Sequence, residues 1–279
     1  MKLLRRWPSL SMLLITLALA ARPAGGQEGR KPDVIYVPTE QAVVDEMLRM
    51  AQLSKDSVVY DLGCGDGRIV ISAANHYGAR GVGIDIDPER IRESRQNARA
   101  MGVWNRVKFM QADLFKADIH EATAVMLYLS SAINVRLRPM LLRQLKPGTP
   151  IVSHDYLMGD WQPDESSFVN GAAILLWIVP ARVAGVWHWT VETGVSSDHY
   201  QLTLQQEFQK VTGTLMVNGK EEAISSLNLS GDRLEFQSGQ SRFSGQVAGG
   251  KMNGLLSAGT QDLTWTATRD PQTEGAPME

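Results

Sequence analysis

An acidic residue directly before a glycine-rich turn is the feature of this sequence with the clearest chemical meaning. Residues 58–68 read V-V-Y-D-L-G-C-G-D-G-R, so a β-rich run reaches Asp61 and is followed by Gly63, Gly65 and Gly67. Such a turn between a strand and a helix lets the backbone approach a ligand closely, above the helix N-terminus. Asp61 would repel a pyrophosphate, and the spacing G-x-G-x-G differs from the G-x-G-x-x-G of dinucleotide-binding folds. The turn therefore favours a ligand that presents a positive charge.

Two more aspartates follow later strand-like segments. Asp85 ends the run G-V-G-I-D, 18 residues after Gly67, where a carboxylate can accept both hydroxyls of a ribose. Asp113 follows the run Val107–Gln111 and suits an adenine amino group. Each aspartate alone could be a solvated turn residue. Because Asp61, Asp85 and Asp113 fall at three consecutive strand ends, together they predict a nucleoside-binding site at the ligand-binding edge of an open α/β sheet.

The elements that would position these residues alternate between strand and helix. The sequence predicts a first helix over residues 39–53, with Thr39 as its N-cap. Strands are predicted at 57–62, 82–86, 107–111, 124–129 and 150–154, and helices at 68–77, 88–101 and 135–145. A hairpin around Gly171 would close the sheet. This alternation predicts an α/β domain over residues 34–181, in which helices cover both faces of a parallel sheet.

A change of character after residue 181 predicts a second domain. Eight short runs of alternating polarity lie between residues 186 and 268, and turn residues such as Asn218-Gly219 and Gly249-Gly250 separate them. Strands of this length and spacing are typical of an antiparallel barrel or sandwich. We therefore expect an all-β antiparallel domain over residues 182–269 and a flexible tail over residues 270–279.

The first 33 residues are expected to lie outside the folded part. Lys2, Arg5 and Arg6 precede a short apolar stretch that contains the cleavage-like site A-L-A. These are the parts of a secretory signal peptide, here residues 1–21. Residues 22–33 are rich in proline, glycine and charge and predict a linker. The protein is therefore expected to be exported. An uncleaved membrane anchor, or a cytoplasmic protein with a mis-assigned start codon, is the alternative.

The composition argues against several classes of protein. The net charge of −2 over 279 residues gives no sign of a basic surface for nucleic acid. The one cysteine, Cys64, can form neither an internal disulfide nor a cysteine-based zinc site, and is interpreted as a small buried residue. The five histidines lack the short spacings of metal ligands. We expect no metal and no nucleic-acid partner. The sequence does not indicate an oligomeric state.

The quoted segments resemble the motifs of Rossmann-like methyltransferases that use S-adenosylmethionine, over roughly half the chain. More narrowly, V-P-T at residues 37–39, the glycine turn at 61–70 and W-Q-P at 161–163 resemble one group. It contains the mitochondrial lysine methyltransferases that modify the c subunit of ATP synthase, and their bacterial relatives. The resemblance implies a Rossmann-like sheet and S-adenosylmethionine as the cofactor. The residues that it places at the cofactor are Tyr36, Asp61, Gly63, Gly65, Asp85, Ile86, Ala112 and Asp113.

The acceptor side is less clearly marked. Methyltransferases that act on amide or base nitrogens often carry Asn/Asp-Pro-Pro-Tyr/Phe after the fourth strand, whereas this chain has Y-L-S-S at residues 128–131. That difference counts against DNA bases and glutamine as acceptors. His154 and Asp155 follow the fifth strand, and with Tyr128 they are the candidate catalytic residues. The alternative for His154 and Asp155 is a hydrogen-bonded pair with a structural task.

The sequence favours N-methylation of a protein lysine, with a small molecule or a lipid as the alternative acceptor. A non-catalytic exported protein that retains the cofactor pocket is a second class. A nicotinamide oxidoreductase is disfavoured by the glycine spacing and by Asp61. S-adenosylmethionine is made in the cytosol, whereas residues 1–21 predict export, and the sequence does not resolve this conflict. Four tryptophans could suggest an aromatic cage, but strand positions favour core packing for Trp161, Trp177, Trp187 and Trp189.

Overall fold

The computed structural model describes residues 32–192, 194, 196–259, 261–276 and 278. The expected signal peptide, and the linker up to residue 31, lie outside the described residues. Within the described part of the chain, no helix is both long and apolar enough to cross a membrane.

The first part of the fold is a seven-stranded sheet with helices on both faces. Its elements are α1 (Gln41–Met50), β1 (Val58–Leu62), α2 (Arg68–Tyr77), β2 (Arg80–Asp85), α3 (Pro88–Ala100), β3 (Val107–Gln111), β4 (Ala124–Leu127), α4 (Ser131–Gln144), β5 (Pro150–His154), β6 (Glu165–Val169) and β7 (Ala172–Ile178). The strand order is β3-β2-β1-β4-β5-β7-β6. The first five strands run parallel, and β7 runs antiparallel to both of its neighbours. The predicted α/β sheet and its closing hairpin are confirmed.

Burial on both faces of the sheet makes its central strands a rigid base. All five residues of β1 and all four of β4 are buried. One face packs against α1, α2 and α3, through side chains that include Met47, Val70 and Ile91. The other face packs against α4, through Leu137 and Leu141. Strands covered in this way are typical of parallel sheets, and they hold the residues at their carboxyl ends in fixed positions.

The start of α1 differs from the prediction. Glu40, not Thr39, is the N-cap, and the helix begins at Gln41. Thr39 is only 4% exposed; its carbonyl accepts a hydrogen bond from Arg68 at 2.7 Å, and its Oγ1 lies 3.3 Å from Nδ1 of His154. The predicted cap was wrong because these tertiary contacts engage the polar groups of Thr39.

The second part of the fold is one antiparallel sheet of nine strands. They are β8 (Gly185–Glu192), β9 (Ser197–Glu207), β10 (Lys210–Val217), β11 (Lys220–Glu222), β12 (Ser225–Ser230), β13 (Arg233–Ser238), β14 (Ser241–Ala248), β15 (Lys251–Ala258) and β16 (Gln261–Arg269), in the order β11-β10-β9-β8-β16-β15-β14-β13-β12. The two edge strands, β11 and β12, are separated in the chain by only Ala223 and Ile224, so the sheet curls until its edges approach. The expected all-β region is therefore a single curled sheet, of the barrel type rather than a sandwich of two. The short strand β11 was not predicted, because its three residues are exposed and charged and carry no apolar alternation.

Aromatic side chains form the core of the curled sheet. Phe236 and Phe243 stack at 4.5 Å, and Trp189 and Trp265 stack at 5.1 Å. The four tryptophans considered as a cage are 5% exposed or less, which confirms core packing for Trp161, Trp177, Trp187 and Trp189.

Trp265 depends on two glycines in the neighbouring strands. Gly245 and Gly254 are paired across β14 and β15, and Gly254 is paired with Trp265 across β15 and β16. A Cβ atom on Gly254 would lie 2.6 Å from Cε2 of Trp265, and one on Gly245 would lie 2.7 Å from Cη2 of the same ring. The absence of side chains here therefore makes room for the indole.

We expect Gly254→Ala to lower the free energy of unfolding by about 1–3 kcal/mol, because the added methyl group would collide with the carbonyl of Ser244 and with the indole of Trp265. Gly250→Ala is the control, since no heavy atom lies within 4 Å of a Cβ atom built at Gly250. Urea unfolding of both variants measures the difference. Equal stability of the two variants would show that the indole does not need the space above Gly254.

Candidate active site

A cleft of about 460 Å³ lies at the carboxyl ends of the parallel strands. Its volume is in the range of small-molecule sites. Seven of the residues predicted from the sequence line it, namely Tyr36, Asp61, Gly63, Asp85, Ile86, Asp113 and Tyr128. Four others, Gly65, Ala112, His154 and Asp155, are not among the lining residues.

Asp85 fixes the shape of the cleft through the backbone. Its Oδ2 accepts a hydrogen bond from the amide of Gly65 at 3.0 Å, and its Oδ1 accepts one from the amide of Asp87 at 2.9 Å. Its own carbonyl accepts from the amide of Ala112 at 3.0 Å. Gly65 and Ala112 do not line the cleft, but their backbone amides hold Asp85 in position. Each carboxylate oxygen has further lone pairs, so Asp85 can still accept hydrogen bonds from a ligand.

Gly65 lies behind the ring of Tyr36. A Cβ atom on Gly65 would lie 2.7 Å from Cδ2 of Tyr36, and Gly65 has a φ of +51°. Both facts require glycine at this position. The ring of Tyr36 also lies 4.8 Å from the guanidinium of Arg90, which lines the cleft.

Asp61 is a buried acid without a partner. It is 2% exposed, and its side chain makes no hydrogen bond or ion pair with any residue that the structure describes. Burial, reinforced by the nearby carboxylates of Asp85 and Asp66, raises the pKa of Asp61 to about 8. A cation in the cleft would favour the ionised form of Asp61, so the site fits a positively charged ligand.

Arg68 ties the entry segment, residues 32–39, to the glycine turn. It forms an ion pair with Asp66 at 2.6 Å and donates to the carbonyl of Thr39 at 2.7 Å. Burial raises the pKa of Asp66, but the hydrogen bonds from Arg68 outweigh it and bring that pKa below its ordinary value. Every residue of the entry segment lines the cleft. Sequence reasoning missed this use of Arg68, although the residue belongs to the glycine motif.

The candidate acceptor side is a stack of aromatic rings. Tyr128 lines the cleft, and its ring stacks on that of His154 with centres 3.7 Å apart and planes at 21°. Tyr156 follows at 6.1 Å from Tyr128. His154 is 6% exposed, and this burial lowers the pKa of its imidazole, which favours the uncharged form. Nδ1 of His154 lies 3.3 Å from Oγ1 of Thr39, which does line the cleft.

Asp155 is held mainly by the sheet. Its Oδ1 accepts from the amide of Ala173, and its own amide donates to the carbonyl of Ala173, both at 2.8 Å. Its Oδ2 lies 3.4 Å from Nε2 of His154. Asp155 has a φ of +65°, a left-handed conformation that aspartate tolerates better than most residues. These contacts support the structural alternative for Asp155, whereas Tyr128 and Thr39 face the cleft.

A sheet of this order with acidic strand ends around a single cleft defines a Rossmann-like methyltransferase. The model of the ANTKMT methyltransferase domain matches residues 61–165. Over 135 residues the chain is 46% identical to a protein-lysine N-methyltransferase of Saccharolobus islandicus, which covers 48% of this chain and 84% of that protein. It is 28% identical over 193 residues to the human lysine N-methyltransferase of the ATP synthase c subunit, covering 69% of this chain and 79% of that protein.

A solved structure resembles the same part of the fold. It is an RNA methyltransferase from Salinibacter ruber in complex with S-adenosyl-L-homocysteine, with 52% identity, a TM-score of 0.52, and coverage of 53% of this chain and 96% of that chain. The chain belongs to the family of S-adenosylmethionine-dependent methyltransferases that includes the protein-lysine N-methyltransferase of Saccharolobus islandicus. It is a methyltransferase, and its cofactor is S-adenosylmethionine.

We expect Asp61→Asn to change stability in a pH-dependent way. Between about pH 4, the pKa of an unfolded aspartate, and about pH 8, the folded state keeps a proton on Asp61 that the unfolded state has lost. The wild-type protein without cofactor therefore loses stability as pH rises, by up to about 1.4 kcal/mol per pH unit from this group, and the loss levels off above about pH 8. Asp61→Asn removes this contribution. Urea unfolding from pH 6 to pH 9 measures the difference between the two proteins.

The same variant should bind S-adenosylmethionine about 10- to 100-fold more weakly in calorimetric titration, as expected for losing a hydrogen bond to a charged group. Asp56→Asn is the matched control, because Asp56 is exposed before β1 and outside the cleft. A stability difference for Asp61→Asn that stays constant with pH would contradict the assignment of a protonated, buried Asp61.

Proposed function

We propose that the enzyme transfers a methyl group from S-adenosylmethionine to the side-chain amine of a protein lysine. The observation that carries this proposal is the 46% identity to a protein-lysine N-methyltransferase across 84% of that protein. The uncharged polar groups at the acceptor side, Tyr128 and Thr39, support it. A neutral hydroxyl can accept a hydrogen bond from an amine without holding the amine in its charged form.

For the cofactor we propose one residue at each of its polar groups. Asp61 receives the cationic amino-acid end, since this carboxyl has no other partner. Asp85 accepts the ribose hydroxyls, and Asp113 accepts the adenine amino group. The backbone of Gly63, which has a φ of +90°, lets the ligand come close to the turn.

When bound, the cofactor supplies a methyl group that is already activated by its sulfonium. The protein has to bind the lysine amine, orient it and hold it uncharged. Oγ1 of Thr39 can accept an N–H bond from the amine while donating its own hydrogen to Nδ1 of His154. The lowered pKa of His154 favours the uncharged imidazole, whose Nδ1 can accept this hydrogen bond and so orient the hydroxyl of Thr39. Tyr128 positions the amine from the other side, with its ring fixed by the stack on His154.

RNA is the second candidate acceptor, favoured by the 52% identity to the RNA methyltransferase from Salinibacter ruber. The net charge of −2 weighs against it, since binding to nucleic acid draws on cationic surface. A small molecule or a lipid remains an alternative acceptor, and a non-catalytic role would require that no acceptor is labelled.

Labelling identifies the acceptor. The full chain is incubated with S-adenosylmethionine carrying a tritiated methyl group and with soluble and membrane fractions of source cells, each divided for protease or ribonuclease treatment. We expect protease-sensitive, ribonuclease-resistant label that is recovered as methyl-lysine after acid hydrolysis. Label that ribonuclease removes would establish RNA as the acceptor. Label that organic solvent extracts would indicate a lipid acceptor. A complete lack of methyl transfer would contradict all of these proposed acceptors.

We expect Tyr128→Phe to lower the turnover rate by about 10-fold, as for the loss of one hydrogen bond at the reacting group. Affinity for S-adenosylmethionine should stay unchanged, because the ring and its stack on His154 remain. Tyr60→Phe is the matched control, since Tyr60 is 8% exposed in β1 and does not line the cleft. An unchanged turnover rate in Tyr128→Phe would show that the hydroxyl of Tyr128 does not take part in the reaction.

A further inference from the structure

A hairpin of the curled sheet packs into the core of the α/β part. The turn between β9 and β10 carries Phe208, which is 8% exposed and belongs to the same hydrophobic cluster as Trp161. The two rings stack with centres 5.4 Å apart and planes at 13°. Phe208 has a φ of +53°, a left-handed conformation that is unfavourable for an aromatic residue. The packing of its ring must therefore hold the turn in this shape.

The next residue, Gln209, holds the segment that carries Trp161. Its Oε1 accepts a hydrogen bond from Nε1 of Trp161, and its Nε2 donates to the carbonyl of Gln162, both at 2.8 Å. Both partners belong to residues 155–163, here called the β5–β6 loop, which form all but the last residue of the connection from the last parallel strand to the closing hairpin. A side chain of the C-terminal sheet thus makes specific bonds to a loop of the α/β part.

Arg138 of α4 contacts both the Phe208 ring and the same loop. Its guanidinium lies 5.0 Å from the centre of the Phe208 ring. Nη1 of Arg138 donates to the carbonyl of Met158 at 2.8 Å, and the same atom pairs with Asp160. The distal half of the β5–β6 loop is therefore held between α4 and the hairpin.

The proximal half of the β5–β6 loop lies beside Tyr128, a residue that lines the cleft. The carbonyl of Tyr156 accepts hydrogen bonds from Nδ2 of Asn134 at 2.9 Å and from Oγ of Ser153 at 2.8 Å. The ring of Tyr156 lies 6.1 Å from that of Tyr128, which lines the cleft. Tyr156 is 36% exposed and Leu157 is 42% exposed, so the loop presents these side chains to solvent beside the acceptor side.

We propose that Phe208 and Gln209 are positioning residues for the methyl acceptor, which act by holding the β5–β6 loop so that Tyr156 and Leu157 form the surface that receives the acceptor protein next to Tyr128. This inference rests on the proposed transfer to a protein. On this proposal, the C-terminal sheet contributes to binding of the acceptor and does not contribute to binding of the cofactor. Small displacements of a positioning surface are sufficient for such an effect, since a shift of about 1 Å can cost about 100-fold in rate.

The experiment compares Phe208→Ala and Gln209→Ala with Phe236→Ala in the full chain. Phe236 is 1% exposed and stacks on Phe243, so its truncation disturbs the curled sheet without touching the β5–β6 loop. Gln209→Ala removes two hydrogen bonds to the loop and keeps the ring of Phe208, which guards against a variant that does not fold. Phe208→Tyr retains the ring and tests rescue.

Three readouts are taken on each variant: hydrogen exchange, the apparent KM for the acceptor and the affinity for S-adenosylmethionine. Hydrogen exchange followed by mass spectrometry should show faster exchange over residues 155–163 in Phe208→Ala and Gln209→Ala, with the glycine turn unchanged. The acceptor is the protease-sensitive cell fraction that the wild-type enzyme labels. With it, we expect the apparent KM of Phe208→Ala and Gln209→Ala to be about 10-fold higher than that of the wild type. Their affinity for S-adenosylmethionine should match that of the wild type, and Phe208→Tyr should restore the KM.

Three outcomes would overturn the inference. They are unchanged exchange over residues 155–163, an equal rise of KM in Phe236→Ala, or a parallel loss of cofactor affinity. If the wild-type enzyme labels no protein, the proposed function fails instead. The exchange experiment then still decides whether the hairpin holds the loop, and the positioning of a protein acceptor falls with the proposed function.

Discussion

The cleft is built around a carboxyl group that the protein alone does not neutralise. Asp61 lies at the end of a strand covered on both faces, with Asp85 and Asp66 nearby, so ionisation there is unfavourable in the free protein. S-adenosylmethionine carries positive charge on its sulfonium and amino groups and can supply the missing counter-charge. The same buried acid would repel the phosphates of a nucleotide. The unfavourable burial of the Asp61 carboxyl therefore makes the cleft prefer a cationic nucleoside.

Asp85 extends this local feature into a binding site. Its carboxylate joins the end of β2 to the amide of Gly65, and so holds the glycine turn of β1 at a fixed distance. Tyr36 then closes over Gly65, and Arg90 lies against the Tyr36 ring. Gly65 does not line the cleft, yet it is constrained by the residues that do, because it bonds to Asp85 and lies against Tyr36.

Most of the α/β sheet and the acidic edge of its cleft could be predicted, because their signals are local. Buried strands, the glycine turn and the acids at the ends of β1, β2 and β3 all follow from short stretches of sequence. The contact between Thr39 and His154 spans 115 residues, and no local pattern marks it. The same holds for the packing of Phe208 on Trp161, since an aromatic residue in a hairpin turn gives no hint of the core that it enters. Long-range packing, which overrides local preference, is what the sequence does not reveal.

The division of the cleft residues indicates what the C-terminal sheet contributes. Among the residues that the structure describes, those that line the cleft lie between Pro32 and Ile133, and none belongs to β8–β16. The protein-lysine N-methyltransferase of Saccharolobus islandicus matches 48% of this chain across 84% of its own length, which agrees with a cofactor site that is complete within the first part of the fold. None of the described residues of this sheet lines the cleft, yet Gln209 bonds to the loop beside Tyr128. The contribution of the sheet is therefore to be sought in how the acceptor reaches the methyl group.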